Sequence, residues 1–227
     1  MSAESVIDEL RSKANLEVVE GMARFGISSK NTLGLSVPTL RAMAKKLGKD
    51  HGLAQALWRS GIHEARILAA MVDEPAKVTE RQMERWVADF DSWDVCDGCC
   101  GGLFDKTAFA YAKALEWSSR SEEFVKRAGY ALMAELAVHD KGASDGAFLR
   151  FFGAIESGST DNRNFVKKAV NWALRQIGKR SLKLNAEALR LARRISKTDN
   201  SSARWVASDA LKELSSEAVQ RRLRRSS

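Results

Sequence analysis

Apolar residues recur every three to four positions along almost the whole chain, the period of a helix with one buried face. The pattern predicts helices near 4–13, 16–25, 37–47, 50–59, 62–73, 79–90, 93–104, 106–118, 121–138, 144–156, 162–178, 184–196, 202–213 and 215–224. No segment alternates apolar and polar residues as a half-buried strand would. The connectors are short and polar: Ser28-Ser29-Lys30-Asn31, Gly48-Lys49-Asp50, Asp140-Lys141-Gly142 and Gly158-Ser159-Thr160-Asp161. Pro38 falls at a helix start, where its missing N–H costs little. Thr79-Glu80-Arg81-Gln82 resembles a capping box, and Pro75 is expected to end the helix that carries Glu64-Ala65-Arg66.

These elements predict an all-α fold. Helix pairs return about every 35 to 45 residues, the rhythm of HEAT-type repeats. The expected architecture is therefore a HEAT-like helical-repeat solenoid forming a single domain over 1–227. Sequence identity between the pairs is weak, so this reading rests on rhythm alone.

Composition narrows the class. Of the 227 residues, 44% are apolar, which supplies a large core, and 29% are charged. Two Pro and 15 Gly are too few for the many turns of a sandwich or barrel. No run of 18 apolar residues predicts a membrane span. The start, MSAESVIDELRSKANLE, is too polar and acidic for a secretory signal. The three Cys are clustered at 96, 99 and 100, which argues for a reducing, cytoplasmic compartment rather than a disulfide framework.

Charge changes the picture further. The net charge is +8. Residues 161–227 hold 17 Lys and Arg against 6 Asp and Glu, while the first 160 residues are slightly acidic. A basic third on a near-neutral body points to a polyanion partner, with nucleic acid first, against a merely solvated surface.

Three helices carry candidate chemistry. In 91–104, Val95, Cys96, Cys99 and Leu103 share the apolar stripe, and Trp93 and Asp97 lie together on the opposite side, one turn apart. Gly98 and Gly101 leave space above that face. The pair forms either a site or a packed tryptophan with Asp97 paired to an arginine, and spacing alone favours packing. Asp94 equally suits the helix N-terminus. Cys96-x-x-Cys99 lacks a second ligand pair, so no metal is expected, and both cysteines sit on the core stripe.

In 162–178 the core stripe is Val166, Ala169, Val170, Ala173 and Ile177. Trp172 lies off it, on an arc shared with Lys168, Arg175 and Lys179. An aromatic among cations fits a DNA surface or cation–π packing on a solvated face. In 121–138 the stripe is Val125, Gly129, Leu132 and Leu136. Arg127 lies opposite, among small neighbours, and is expected to reach outward. The run Arg221-Arg222-Leu223-Arg224-Arg225 either holds phosphate or is simply a solvated helix end. No dinucleotide, P-loop or acyl-transfer signature is present.

Several stretches resemble the AlkD-like DNA alkylation repair family, HEAT-like repeat DNA glycosylases. They are Met22-Ala23-Arg24-Phe25, Leu33-Gly34-Leu35-Ser36-Val37-Pro38, His63-Glu64-Ala65-Arg66, Ser92-Trp93-Asp94-Val95-Cys96-Asp97, Lys126-Arg127-Ala128, and Phe165-Val166-Lys167-Lys168-Ala169-Val170-Asn171-Trp172-Ala173-Leu174-Arg175. The resemblance covers nearly the whole chain. It implies a catalytic aspartate at Asp97 with partner Trp93, an active-site arginine at Arg127 and a second lesion-facing tryptophan at Trp172. Family members often carry two tryptophans before the aspartate and a tyrosine where Phe25 stands.

The implied activity is excision of cationic N3- or N7-alkylated purines from double-stranded DNA, without a cofactor, by a nucleoid-associated monomer. The duplex would lie on a concave basic face, its phosphates met by Arg127, Lys168, Arg175, Lys179 and Arg180. Two alternatives stand beside it: a non-catalytic binder of branched or distorted DNA on the same fold, and a HEAT-type protein-interaction scaffold.

Overall fold

Among the described residues, eight helices open on a Ser, Thr, Asn or Asp whose side chain accepts the amide three residues on: Ser2, Asn15, Ser36, Asp50, Thr79, Ser181, Asn200 and Ser216. Each closes one of the amides that a helix start leaves without a partner. The computed structural model describes residues 2–225, and the described residues are helical with no strand. No helix among them is long and apolar enough to cross a membrane. The chain divides into two compact units, one ending at Thr107 and the other beginning at Ala108.

The first unit contains α1 (Ala3–Ser12), α2 (Leu16–Ala23), α3 (Val37–Leu47), α4 (His51–Arg59), α5 (His63–Val72), α6 (Glu80–Ala88) and α7 (Trp93–Gly102). α5 packs against α3, α4 and α7, and eight of its ten residues are buried. It ends at Val72, three residues before Pro75, which opens a 3-10 turn over Pro75–Lys77. The rings of Trp58 and Trp86 stack at 4.0 Å in the core.

One buried carboxylate organises this unit. Glu64 is 0% exposed. Its oxygens accept the amides of Leu33 at 2.9 Å, Gly34 at 2.7 Å and Leu35 at 3.3 Å. Three charge-assisted bonds offset the desolvation of a buried anion and fix the loop before α3. Gly34 sits there at φ 81°, and a Cβ on it would meet the Asn15 carbonyl oxygen at 2.3 Å. The matched stretches around Gly34 and Glu64 are thus two halves of one structural device.

The second unit contains α8 (Ala110–Ser118), α9 (Glu123–His139), α10 (Asp145–Leu149), α11 (Phe152–Gly158), α12 (Asn164–Gly178), α13 (Leu182–Ile195), α14 (Ser201–Leu214) and α15 (Glu217–Arg225). α9 lies between α8 and α12, and α12 packs on α13 and α14. The close approach of α8 requires Gly129, where a Cβ would sit 2.4 Å from the Ser118 amide nitrogen.

The single helix expected over 144–156 is two. At the break the Phe151 amide bonds to the Phe148 carbonyl at 3.0 Å. This tighter i→i+3 turn brings side chains three apart onto one side, so Phe148 and Phe151 both reach Tyr111, at 6.1 and 5.8 Å between rings.

Candidate nucleic-acid interface

The seven residues singled out from the sequence divide between the units. Trp93 and Asp97 belong to the first, and Arg127, Lys168, Trp172, Arg175 and Lys179 to the second.

In the first unit, α7 presents two faces. Val95, Cys96, Cys99 and Leu103 are fully buried, as their shared stripe requires. Burial pushes the Cys99 and Cys100 thiols well above the usual value, the neighbouring Cys96 adding to the effect, so these sulfurs stay protonated and pack as small apolar groups. On the opposite side Trp93 and Asp97 are half-buried. The Trp93 Nε1–H donates to the Phe25 carbonyl at 3.0 Å, which fixes the indole plane. Phe25 itself is largely exposed. A Cβ at Gly98 would meet nothing within 4 Å, so the surface beside Asp97 is open.

Asp94, three residues before Asp97, has a different task. Its Oδ2 lies 2.9 Å from His63 Nε2 on α5, and its Oδ1 accepts the Val95 amide at 3.0 Å. Burial is the largest influence on His63 and pulls its pKa down. The Asp94 bond and the charges of Asp94, Glu64 and Asp91 outweigh it, so the imidazole titrates above its ordinary value. Burial is likewise the largest influence on Asp94 and raises it, but the His63 bond, the His63 charge and the smaller hydrogen bonds, the Val95 amide among them, together outweigh it and hold the carboxyl low. The result is a largely enclosed histidine–carboxylate pair that clamps α7 to α5. The pair was not legible in the sequence, because its members stand 31 positions apart.

In the second unit, Trp172 is half-buried on α12, off the fully buried stripe of Val166, Ala169, Val170, Ala173 and Ile177. Lys168, one turn earlier, is exposed. The other two cations of this arc are engaged. Arg175 Nη1 lies 3.0 Å from Asp209 and 2.8 Å from Glu213, and Lys179 Nζ lies 2.6 Å from Glu213. Both acids come from α14, so part of the expected positive arc is neutralised by the adjacent helix. Arg180 is half-buried and tied back to the protein. Its guanidinium donates to the Ala137 and Ala143 carbonyls at 2.8 and 3.1 Å and covers the Phe148 ring.

Arg127 also departs from expectation. It is 6% exposed, and its Nη1 donates to the Phe165 carbonyl at 2.6 Å. The side opposite its stripe is not a groove but the contact with a second helix, because α9 has neighbours on both sides. Lys167 and Trp205, not singled out from the sequence, form an exposed cation–π contact at 5.1 Å between α12 and α14.

The sequence profile of the DNA alkylation repair enzyme family matches residues 6–214. No curated protein matches the chain. Among solved structures, the fold is similar at TM-score 0.80 and 18% identity, over 98% of this chain and 96% of the other, to a member of a protein family related to the HEAT-like repeat DNA glycosylases with affinity for branched DNA structures. An engineered protein (TM-score 0.40, 13% identity, 88% and 97% of the two chains) and a designed armadillo repeat protein (0.36, 14%, 77% and 91%) are more distant. The helices thus follow the HEAT-like repeat DNA glycosylase fold.

Proposed function

The chain belongs to the DNA alkylation repair enzyme family, and from that premise we propose that it is a DNA glycosylase that removes cationic N3- or N7-alkylated purines from duplex DNA. The observation that carries the reading is the exposed side of α7. There Asp97 stands one turn from an indole held in place by its bond to the Phe25 carbonyl, beside a surface left open at Gly98. The neighbouring Asp94 is bonded to His63 on α5.

The chemistry suits the substrate class. An alkylated purine already carries positive charge, so its departure needs little help from a general acid. What needs stabilising is the oxocarbenium-like sugar. A carboxylate beside it lowers that barrier electrostatically and orients the attacking water. The electron-rich face of Trp93 favours the same growing positive charge. On the second unit, Trp172 with exposed Lys168 would contact the sugar-phosphate backbone. Arg175 and Lys179, shared with carboxylates, would contribute less, and Arg127 would act chiefly by holding α12 in place.

A second reading has an observation of its own: the similar solved structure belongs to proteins with affinity for branched DNA. On that reading the same surfaces hold junctions without cleaving a bond. Incubation with duplex containing 7-methylguanine, followed by measurement of free base, separates the two. Base release that depends on intact protein supports the glycosylase. No release at long times, with tight binding to a four-way junction, refutes it in favour of the binder.

A further inference from the structure

The C-terminal ends of α9 and α12 frame a cavity of about 400 Å³ that lies wholly within the second unit. Its walls are cationic: Lys141 from the turn after α9, Lys179 and Arg180 from the end of α12, and Arg222 from α15. Gln176 adds an amide, and no carboxylate lines the space. Helix C-termini attract cations, which accounts for part of this gathering. Arg222 Nη2 donates to the Lys179 carbonyl at 2.9 Å, and Arg180 binds the Ala137 and Ala143 carbonyls. Lys179 is paired with Glu213.

Lys141 is not explained this way. It is exposed, and its ammonium forms no ion pair or side-chain hydrogen bond among the described residues. Carbonyl bonds orient a guanidinium without cancelling its charge, and Arg180 and Arg222 both line the space. Four cationic side chains around one concavity that no carboxylate lines form a place where an anion is favoured.

We propose that this cavity holds a phosphate group of the DNA backbone, with Lys141 and Arg222 as its principal donors. The proposal rests on the DNA-binding reading above and extends it to residues that reading does not use. Trp172, Gln176 and Lys179 fall along one side of α12, and seven residues at the helical rise place Lys179 roughly 10 Å beyond Trp172. That separation is enough to grip a different phosphate from the one beside the Trp172 nucleotide. The tail run Arg221-Arg222-Leu223-Arg224-Arg225 is divided accordingly: Leu223 is buried as the anchor of α15, and Arg222 lines the cavity.

The test uses the full chain with Lys141→Glu, Arg222→Lys and, as comparator, Lys168→Ala. Each is titrated into labelled duplex over a range of salt. One lost phosphate contact should make the slope of log affinity against log salt shallower by about 0.9. Lys141→Glu should do so and weaken binding roughly tenfold at fixed salt. Arg222→Lys, which keeps the charge, should retain most of the slope. Lys141 is exposed, so its replacement leaves the fold intact.

Unchanged affinity and slope in Lys141→Glu, while Lys168→Ala weakens binding, would overturn the cavity proposal and leave the DNA reading standing. Absence of binding by the unsubstituted protein to both duplex and junction would overturn both. An inorganic phosphate titration followed by NMR distinguishes the remaining source. Saturable shifts at Lys141 and Arg222, without any effect of Lys141→Glu on DNA affinity, would make this a small-oxyanion site and refute the backbone assignment.

Discussion

Replacing Arg127 separates a structural from a DNA-contacting role. The side chain is 6% exposed and donates a 2.6 Å charge-assisted bond to the Phe165 carbonyl in the first turn of α12. Such a bond contributes about 1.5 to 3 kcal/mol. Arg127→Ala also removes two buried methylenes, at about 0.8 kcal/mol each. Burying a guanidinium costs desolvation, which offsets part of the total, so the net loss should be about 3 kcal/mol. For a chain of this length that corresponds to a fall in Tm of roughly 6 to 12 °C. Urea denaturation read by tryptophan fluorescence measures the loss, and duplex binding is then measured where each variant remains folded. Arg127→Met keeps the stem and should recover about half the stability. Its DNA affinity should match the unsubstituted protein within about twofold, since a buried group makes little phosphate contact. The reasoning is refuted if Arg127→Ala is as stable as the parent while its salt slope falls by about 1, because the guanidinium would then be a phosphate ligand.

Asp97→Asn should reduce release of 7-methylguanine by about 10²- to 10³-fold with undamaged-duplex affinity unchanged or higher; a large loss of stability instead would mark Asp97 as a structural acid. Glu64→Ala strands three buried amides and should cost about 3 to 5 kcal/mol, with Glu64→Gln in between; an effect below about 1 kcal/mol in urea unfolding would contradict the clamp. The His63–Asp94 pair should give a pH signature. His63 titrates above the ordinary imidazole value of 6.5, so its contribution is complete below about that pH and lost as pH rises through the raised value. Asp94 titrates below the ordinary carboxyl value of 3.8, so its contribution is present above that pH and lost as pH falls through the lowered value. The stability difference between the unsubstituted protein and Asp94→Asn should therefore peak between those limits and shrink in alkali, and a difference flat from acid to alkaline pH would refute the pairing.

Helix positions were legible in the sequence because their causes are local. A period of 3.6 and a capping side chain at Ser36, Asp50, Thr79, Ser181 or Asn200 act within four residues. The buried stripes of α7 and α12 followed from the same geometry, and so did the half-exposed placement of Trp93, Asp97 and Trp172. Tertiary structure decided how many neighbours each helix has and which charges meet. A helical wheel assumes one buried side, whereas α9 has two helices against it, so Arg127 is enclosed rather than free. Arg175 and Lys179 look as available in sequence as Lys168 does. Only packing brings Asp209 and Glu213, some 34 positions away, into contact with them. Periodicity states the angle of a side chain about its own axis; whether that angle meets solvent, a second helix or an opposite charge depends on chain segments too distant for any local pattern to specify.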